Sequence, residues 1–242
     1  MKKINKKILI SIFIFLIVIL LSISIIFANN VIDESYFEKN KEKIYYEIKY
    51  FDNRMINMSN LLINIENKND FYINWEELEK ETYSLYNYWN SVILDLNNLN
   101  IDKKDLTDFG KKLDELMLSI KEENKNKTFK NLIEIYNKLI IYLESTPDSN
   151  YKHTVITKYN LLCACYVSEN RNWTLSNEYI LKASETIYKV VNSMEINGYL
   201  QYNINKTYVA VKELENLINI KDLDVFYIKY NIAITNLINL TI

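Results

Sequence analysis

Two glycines and one proline in 242 residues restrict this chain more than any motif it carries. Hairpins, nucleotide-cradling loops and tight β-turns draw on glycine for φ > 0 and on proline for a fixed φ. A chain this poor in both reads as long helices joined by short polar turns. With 49% hydrophobic residues it has ample material for a core. The expected fold class is all-α: an N-terminal transmembrane helix followed by antiparallel helical bundles.

The membrane segment is read from charge and length. Lys2, Lys3, Lys6 and Lys7 precede twenty residues, Ile8 to Phe27, interrupted only by Ser11, Ser22 and Ser24. As a helix rising about 1.5 Å per residue, that run is about 30 Å long, the thickness of a hydrocarbon core. Lysines before it and none just after it place the N-terminus in the cytoplasm and the rest of the chain outside. A cleaved signal has an apolar region of about 7 to 15 residues ending at paired small residues. Ile26-Phe27-Ala28 supplies only one, so an uncleaved anchor is favoured over secretion after cleavage near Ala28.

Removing the four lysines of the tip from the chain's 29 basic residues leaves 25 against 31 acidic ones, a net charge of −6 beyond the anchor. Such a surface repels nucleic acid, which is excluded as a partner. The lipid bilayer is the partner expected of the N-terminal helix.

Beyond the anchor, apolar residues recur at alternating spacings of three and four. Ile44, Ile48, Phe51, Met55, Met58, Leu62 and Ile65 form one series; Trp75, Leu78, Thr82, Leu85, Trp89, Val92 and Leu96 form a second. Leu106, Phe109, Leu113, Leu116 and Ile120 continue it, followed by Leu132, Ile135, Leu139 and Tyr142. Each series paints one apolar stripe on a helix. Asn74 and Asp102 stand where N-caps belong.

Sliding the sequence on itself by 98 residues aligns Asn74-Trp75 with Asn172-Trp173, and the apolar register then holds to the end. Leu106 meets Ile204, Leu113 meets Val211, and Leu139 meets Leu237. Heptad-patterned helices align passably by chance, so periodicity and duplication both remain readings of this offset; the shared Asn-Trp opening is what periodicity does not explain. The expected helices run over 33–66, 74–98, 102–123, 127–144, 151–168, 172–196, 199–220 and 223–241. The expected organisation is a tip and anchor over 1–28, a first bundle over 29–145 and a second over 146–242.

A basic N-terminus, one spanning segment and a helix opening on Trp75 with Trp89 about four turns later are similar to features of a group of membrane-anchored helical proteins of spore-forming Firmicutes. Leu113, Leu116 and Ile120, followed by a polar break and another amphipathic helix, extend the resemblance over residues 8 to 144. The longer first helix and the second unit depart from that group. The resemblance implies a membrane location and a helical fold, and no activity.

The chemistry on offer is narrow. Nucleophilic triads need a histidine, and zinc sites need several His or Cys ligands. The chain has one histidine, His153, expected to be solvated near the start of its helix. Cys163 and Cys165 lie two apart on one helix, turned roughly 200° from each other, and read as small core residues. Glu76-Glu77 and Glu122-Glu123 point about 100° apart and cannot face each other across a substrate; Glu76 and Glu77 suit a helix start. No catalytic residue, cofactor or metal site is expected.

Among twenty tyrosines, Tyr136 and Tyr230 fall on or beside apolar stripes and are assigned to packing. Tyr45, Tyr46, Tyr83, Tyr86 and Tyr88 are harder to hide together and form the candidate interaction surface. The leading functional expectation is a non-enzymatic extracytoplasmic module that binds a protein or envelope partner. The alternative is a carboxylate-based cell-envelope hydrolase. Anchoring has a direct check: the mature chain is expected to sediment with membranes, with its ectodomain open to external protease, whereas a soluble form beginning at Asn29 would contradict it.

Overall fold

The computed structural model describes residues 45–63, 73–98, 102–144, 146–193 and 198–240. The candidate anchor, Ile8 to Phe27, lies outside the described residues. Among the described residues no helix is long and apolar enough to cross a membrane.

Eight helices make up the described chain, with no strand among the described residues. We number them α1 (residues 45–63), α2 (Trp75–Asn98), α3 (Lys103–Lys121), α4 (Lys125–Glu144), α5 (Asn150–Glu169), α6 (Trp173–Ser193), α7 (Gly198–Leu217) and α8 (Leu223–Ile238). The predicted stripes become the core: Phe51, Met55, Met58 and Leu62 of α1, and Leu78, Leu85, Trp89 and Val92 of α2, are all buried. Trp173 is buried as well, and Trp75 is half-buried.

We take the helices in two groups of four in chain order, α1–α4 and α5–α8, within one compact unit. In the first, α2 packs on α3 and α3 on α4. Helix α1 closes that group through an aromatic cluster. Tyr50 stacks on Tyr88 at 3.7 Å between ring centroids, Phe51 meets Phe109 edge-on, and Trp89 stacks on Phe109 at 4.2 Å. In the second, α5 packs on α6, α6 on α7, α7 on α8, and α8 returns to α5. Packing is continuous across the boundary expected between residues 145 and 146: α4 lies against α5, and Glu47–Ile242 forms one compact unit.

The offset of 98 residues carries over into burial. Leu78 and Ser176, Leu85 and Ala183, Trp89 and Ile187, Leu106 and Ile204, Leu113 and Val211, Leu116 and Leu214, Leu132 and Tyr230, Ile135 and Ala233, and Leu139 and Leu237 are buried as pairs. Caps recur at the same offset, because Asn74 and Asn172 accept backbone N–H bonds at the starts of α2 and α6, as Asn124 and Asp222 do for α4 and α8.

The scarcity of glycine has a visible consequence at the turns. Three of them place a non-glycine residue at positive φ: Glu123 (50°), Arg171 (60°) and Lys221 (54°). Each immediately precedes the Asn or Asp that caps the next helix. At Glu123 and Arg171 the backbone closes a Schellman motif: Asn124 N–H donates to Ser119 O at 3.0 Å, and Asn172 N–H to Val167 O at 2.9 Å. Glu123 and Lys221 are themselves 98 residues apart and share the positive φ, but at Lys221 the turn closes through Lys221 N–H to Leu217 O at 3.3 Å instead of a Schellman bond.

A left-handed conformation disfavours an L-residue by about 1 to 2 kcal/mol, part of which glycine returns through its freer unfolded state. Each of Glu123→Gly, Arg171→Gly and Lys221→Gly is therefore expected to stabilise the protein by about 0.5 to 1 kcal/mol in urea unfolding. A loss of stability in all three would show that these turns are held by side-chain contacts instead.

Candidate functional site

Helix α5 is the strut between the two groups and the least amphipathic of the long helices. Its buried residues point in every direction, from Val155 and Leu161 to Thr157, Lys158 and Asn160, as expected of a helix covered on all sides. It packs on α4, α6 and α8. Helix α1 approaches it from the first group, and a buried polar junction forms where they meet.

At that junction Lys158 Nζ of α5 lies 2.7 Å from Asp52 Oδ2 of α1, with 7% and 1% of the two side chains exposed. The Tyr136 hydroxyl of α4 donates to the other Asp52 oxygen. Burial, and then the Asp52 carboxylate, raise the Tyr136 phenol well above its ordinary pKa, so it remains a protonated donor. One carboxylate thus ties three helices, two from the first group and one from the second. Nearby, the Tyr230 hydroxyl of α8 lies beside Ser59 of α1.

Above this junction opens a pocket of about 680 Å³. Helix α1 lines it with Lys49, Asn53 and Asn57, spaced four apart along one edge, and with Asp52 and Ile56 deeper in. Helix α5 contributes Tyr151, Thr154 and Lys158 from successive turns. Ile238 and Leu240, at the C-terminal end of α8, form an apolar wall. The volume is that of a small-ligand site.

Among the described lining residues, two lysines face one carboxylate, and the amides and hydroxyls can both donate and accept. Lys49, Asn53 and Asn57 are exposed, and no side-chain hydrogen bond or ion pair engages them among the described residues. An ammonium has three N–H donors. For Lys158, Asp52 is the one hydrogen-bond acceptor among the described residues. Among the described lining residues, Asp52 is the one carboxylate.

Other carboxylates also brace helices. Glu169 of α5 takes Lys125 of α4 at 2.9 Å and Tyr227 of α8 at 2.5 Å. Glu81 takes Arg54 at 2.6 Å, Asp105 takes Lys138 at 3.0 Å, and Glu215 accepts from Ser184 and Lys212. Glu76 and Glu77 occupy the first turn of α2, as expected.

The candidate tyrosine surface is dispersed. Tyr88 is turned toward α1, where its hydroxyl donates to Glu47. Tyr86, about 200° away around the same helix, donates to Asp114 of α3. Tyr83 is 51% and Tyr46 75% exposed, and Tyr45 is half-buried. The structure therefore brings Tyr86 and Tyr88 into helix pairing and leaves Tyr83 and Tyr46 on the surface. Tyr136 and Tyr230 are fully buried, in line with their assignment to packing.

His153 corrects the expectation of a solvated side chain. It is 7% exposed, and its Nε2 lies 2.9 Å from Asp148 Oδ1. The cause is tertiary, since His153 is the first buried position of α5 and the exposed Asp148 of the Pro147 loop reaches its ring. Among the described residues no group of three or more His, Cys, Asp and Glu could hold a metal ion.

Sequence reasoning missed the pocket because its floor is made of residues normally assigned to a solvated face. One signal was present: Asp52 directly follows the buried Phe51 on the inner side of α1, four residues before Ile56.

Cys163 and Cys165 are buried free thiols. Burial pushes the Cys163 thiol up to about 12 and Cys165 well above its ordinary value. Neither is expected to react with iodoacetamide at pH 8 until the protein unfolds; rapid native-state alkylation would contradict the packing. No protein-family model, curated protein or solved structure matches the chain.

Proposed function

We propose that the chain is a non-enzymatic module, held at the outer membrane face by Ile8 to Phe27, that binds an envelope or protein partner through the pocket between α1, α5 and α8. The observation that carries this reading is the pocket's charge: two ammonium groups, Lys49 and Lys158, against one carboxylate among the described lining residues. Lys49, Asn53, Asn57 and the spare N–H groups of Lys158 are available, whereas the single carboxylate, Asp52, is bound by Lys158 and Tyr136.

A carboxylate-based glycosidase needs two carboxyl groups facing each other across roughly 5 to 9.5 Å, one of them free to move a proton. Among the described residues the pocket lining offers one carboxylate, and it is already engaged. Such a lining favours holding an acceptor-rich ligand over cleaving one. Supporting this, the net charge of −6 beyond the anchor makes a locally positive cavity stand out from its surroundings.

Full-length protein in detergent micelles, mixed with isolated cell wall of the source organism, tests the reading. The expected result is no release of sugars or peptides into the supernatant over hours of incubation. Sustained release that disappears in Asp52→Asn, with the helical signal intact, would contradict a binding module and establish a hydrolase.

A further inference from the structure

The geometry points to a ligand class for this pocket: we infer that it takes a short peptide, or a peptide-like chain, ending in a free carboxylate beside a small aliphatic side chain. This rests on the binding-module reading and adds the chemistry of what is bound.

The floor sets the first requirement. Lys158 is buried, and Asp52 meets only one of its three N–H donors among the described residues. An ammonium in that position seeks further acceptors. The floor is already neutral as a pair, and a second carboxylate beside Asp52 would meet like-charge repulsion in a weakly screened site. A neutral carbonyl oxygen satisfies Lys158 without that penalty.

The rim sets the second. Lys49 stands at the mouth with no counter-ion among the described residues, where a carboxylate keeps part of its hydration and gains a charge-assisted hydrogen bond. Asn53 and Asn57 follow at intervals of four residues along the same edge. Each carries both an amide donor and an amide acceptor, the complement of a peptide group. Eight residues of helix from Lys49 to Asn57 span about 12 Å, and three residues of extended peptide span about 10 Å. Ile56, Ile238 and Leu240 give the apolar wall against which aliphatic side chains can lie. A fatty acid would satisfy Lys49 and that wall but would leave both asparagines unengaged and Lys158 with Asp52 alone.

The test uses full-length protein in detergent micelles and two probes, N-acetyl-trialanine and its C-terminal amide, by isothermal titration calorimetry. The acid is expected to bind about tenfold more tightly than the amide, the factor that one charge-assisted hydrogen bond supplies. Lys49→Gln is expected to lower the acid to the level of the amide, and Asn57→Leu to weaken both forms alike. Both positions are exposed, so an unchanged melting temperature in each variant separates lost binding from lost fold. Equal affinity for acid and amide, no binding of the acid at millimolar concentration, or tighter binding of decanoate than of the peptide would overturn the assignment. Mass spectrometry of the same samples separates the two readings: cleavage of the peptide would overturn the non-enzymatic reading while supporting the ligand class.

Discussion

The structure depends on a single buried charge pair. Asp52 and Lys158 lie 106 residues apart in sequence, on helices from different halves of the chain, and meet where both side chains are almost wholly buried. Burying either ion alone would be strongly unfavourable, so each side chain is tolerable only because the other arrives at the same place. Tyr136 completes the acceptor side from α4. The pair thereby specifies how α1 and α4 lie against α5, a register that apolar contact alone would leave less sharply defined. Whether such a pair adds net stability over an apolar replacement varies from protein to protein. Its clearer role is to penalise every arrangement in which the two charges are apart.

The same junction shapes the pocket. Asp52 uses its oxygens on Lys158 and Tyr136, which leaves Lys49 and the amides of Asn53 and Asn57 uncommitted above a neutral floor. Polar groups elsewhere follow a comparable rule. Glu169 joins α5 to α4 and α8 through Lys125 and Tyr227, and Arg54 and Tyr88 connect α1 and α2 through Glu81 and Glu47. Carboxylates used as cross-helix braces are poor candidates for proton transfer. Donors left uncommitted at a cavity are good candidates for recognition.

Much of the fold was legible in the sequence, for identifiable reasons. Helices α2, α3 and α4 each bury one stripe, so a period near 3.6 located their cores, and Asn74 and Asp102 marked their starts through side-chain acceptors. The 98-residue offset was visible because both halves bury the same register positions, and Glu123 and Lys221 show that it extends to the positive φ of a turn residue. Helix α5 was found by its boundaries, but its environment was hidden. A helix enclosed on all sides has no stripe to read, and its polar residues give no warning that partners from distant segments will satisfy them. That is why His153 looked solvated and Lys158 drew no attention. The placing of Tyr86 and Tyr88, both in the candidate surface, was hidden for a related reason. Two residues apart on a helix, they serve opposite neighbours, and only the position of α1 and α3 reveals which.

The most direct test of this account is a double-mutant cycle on Asp52 and Lys158, read by urea unfolding of the full-length protein. Removing one partner strands the other charge, so Asp52→Asn and Lys158→Met should each destabilise by about 3 to 5 kcal/mol. The double variant has no stranded charge and should be far less destabilised than the sum of the two, with a coupling of about 2 kcal/mol or more. Additive losses would mean that the two residues do not meet, and the junction, together with the pocket above it, would have to be abandoned.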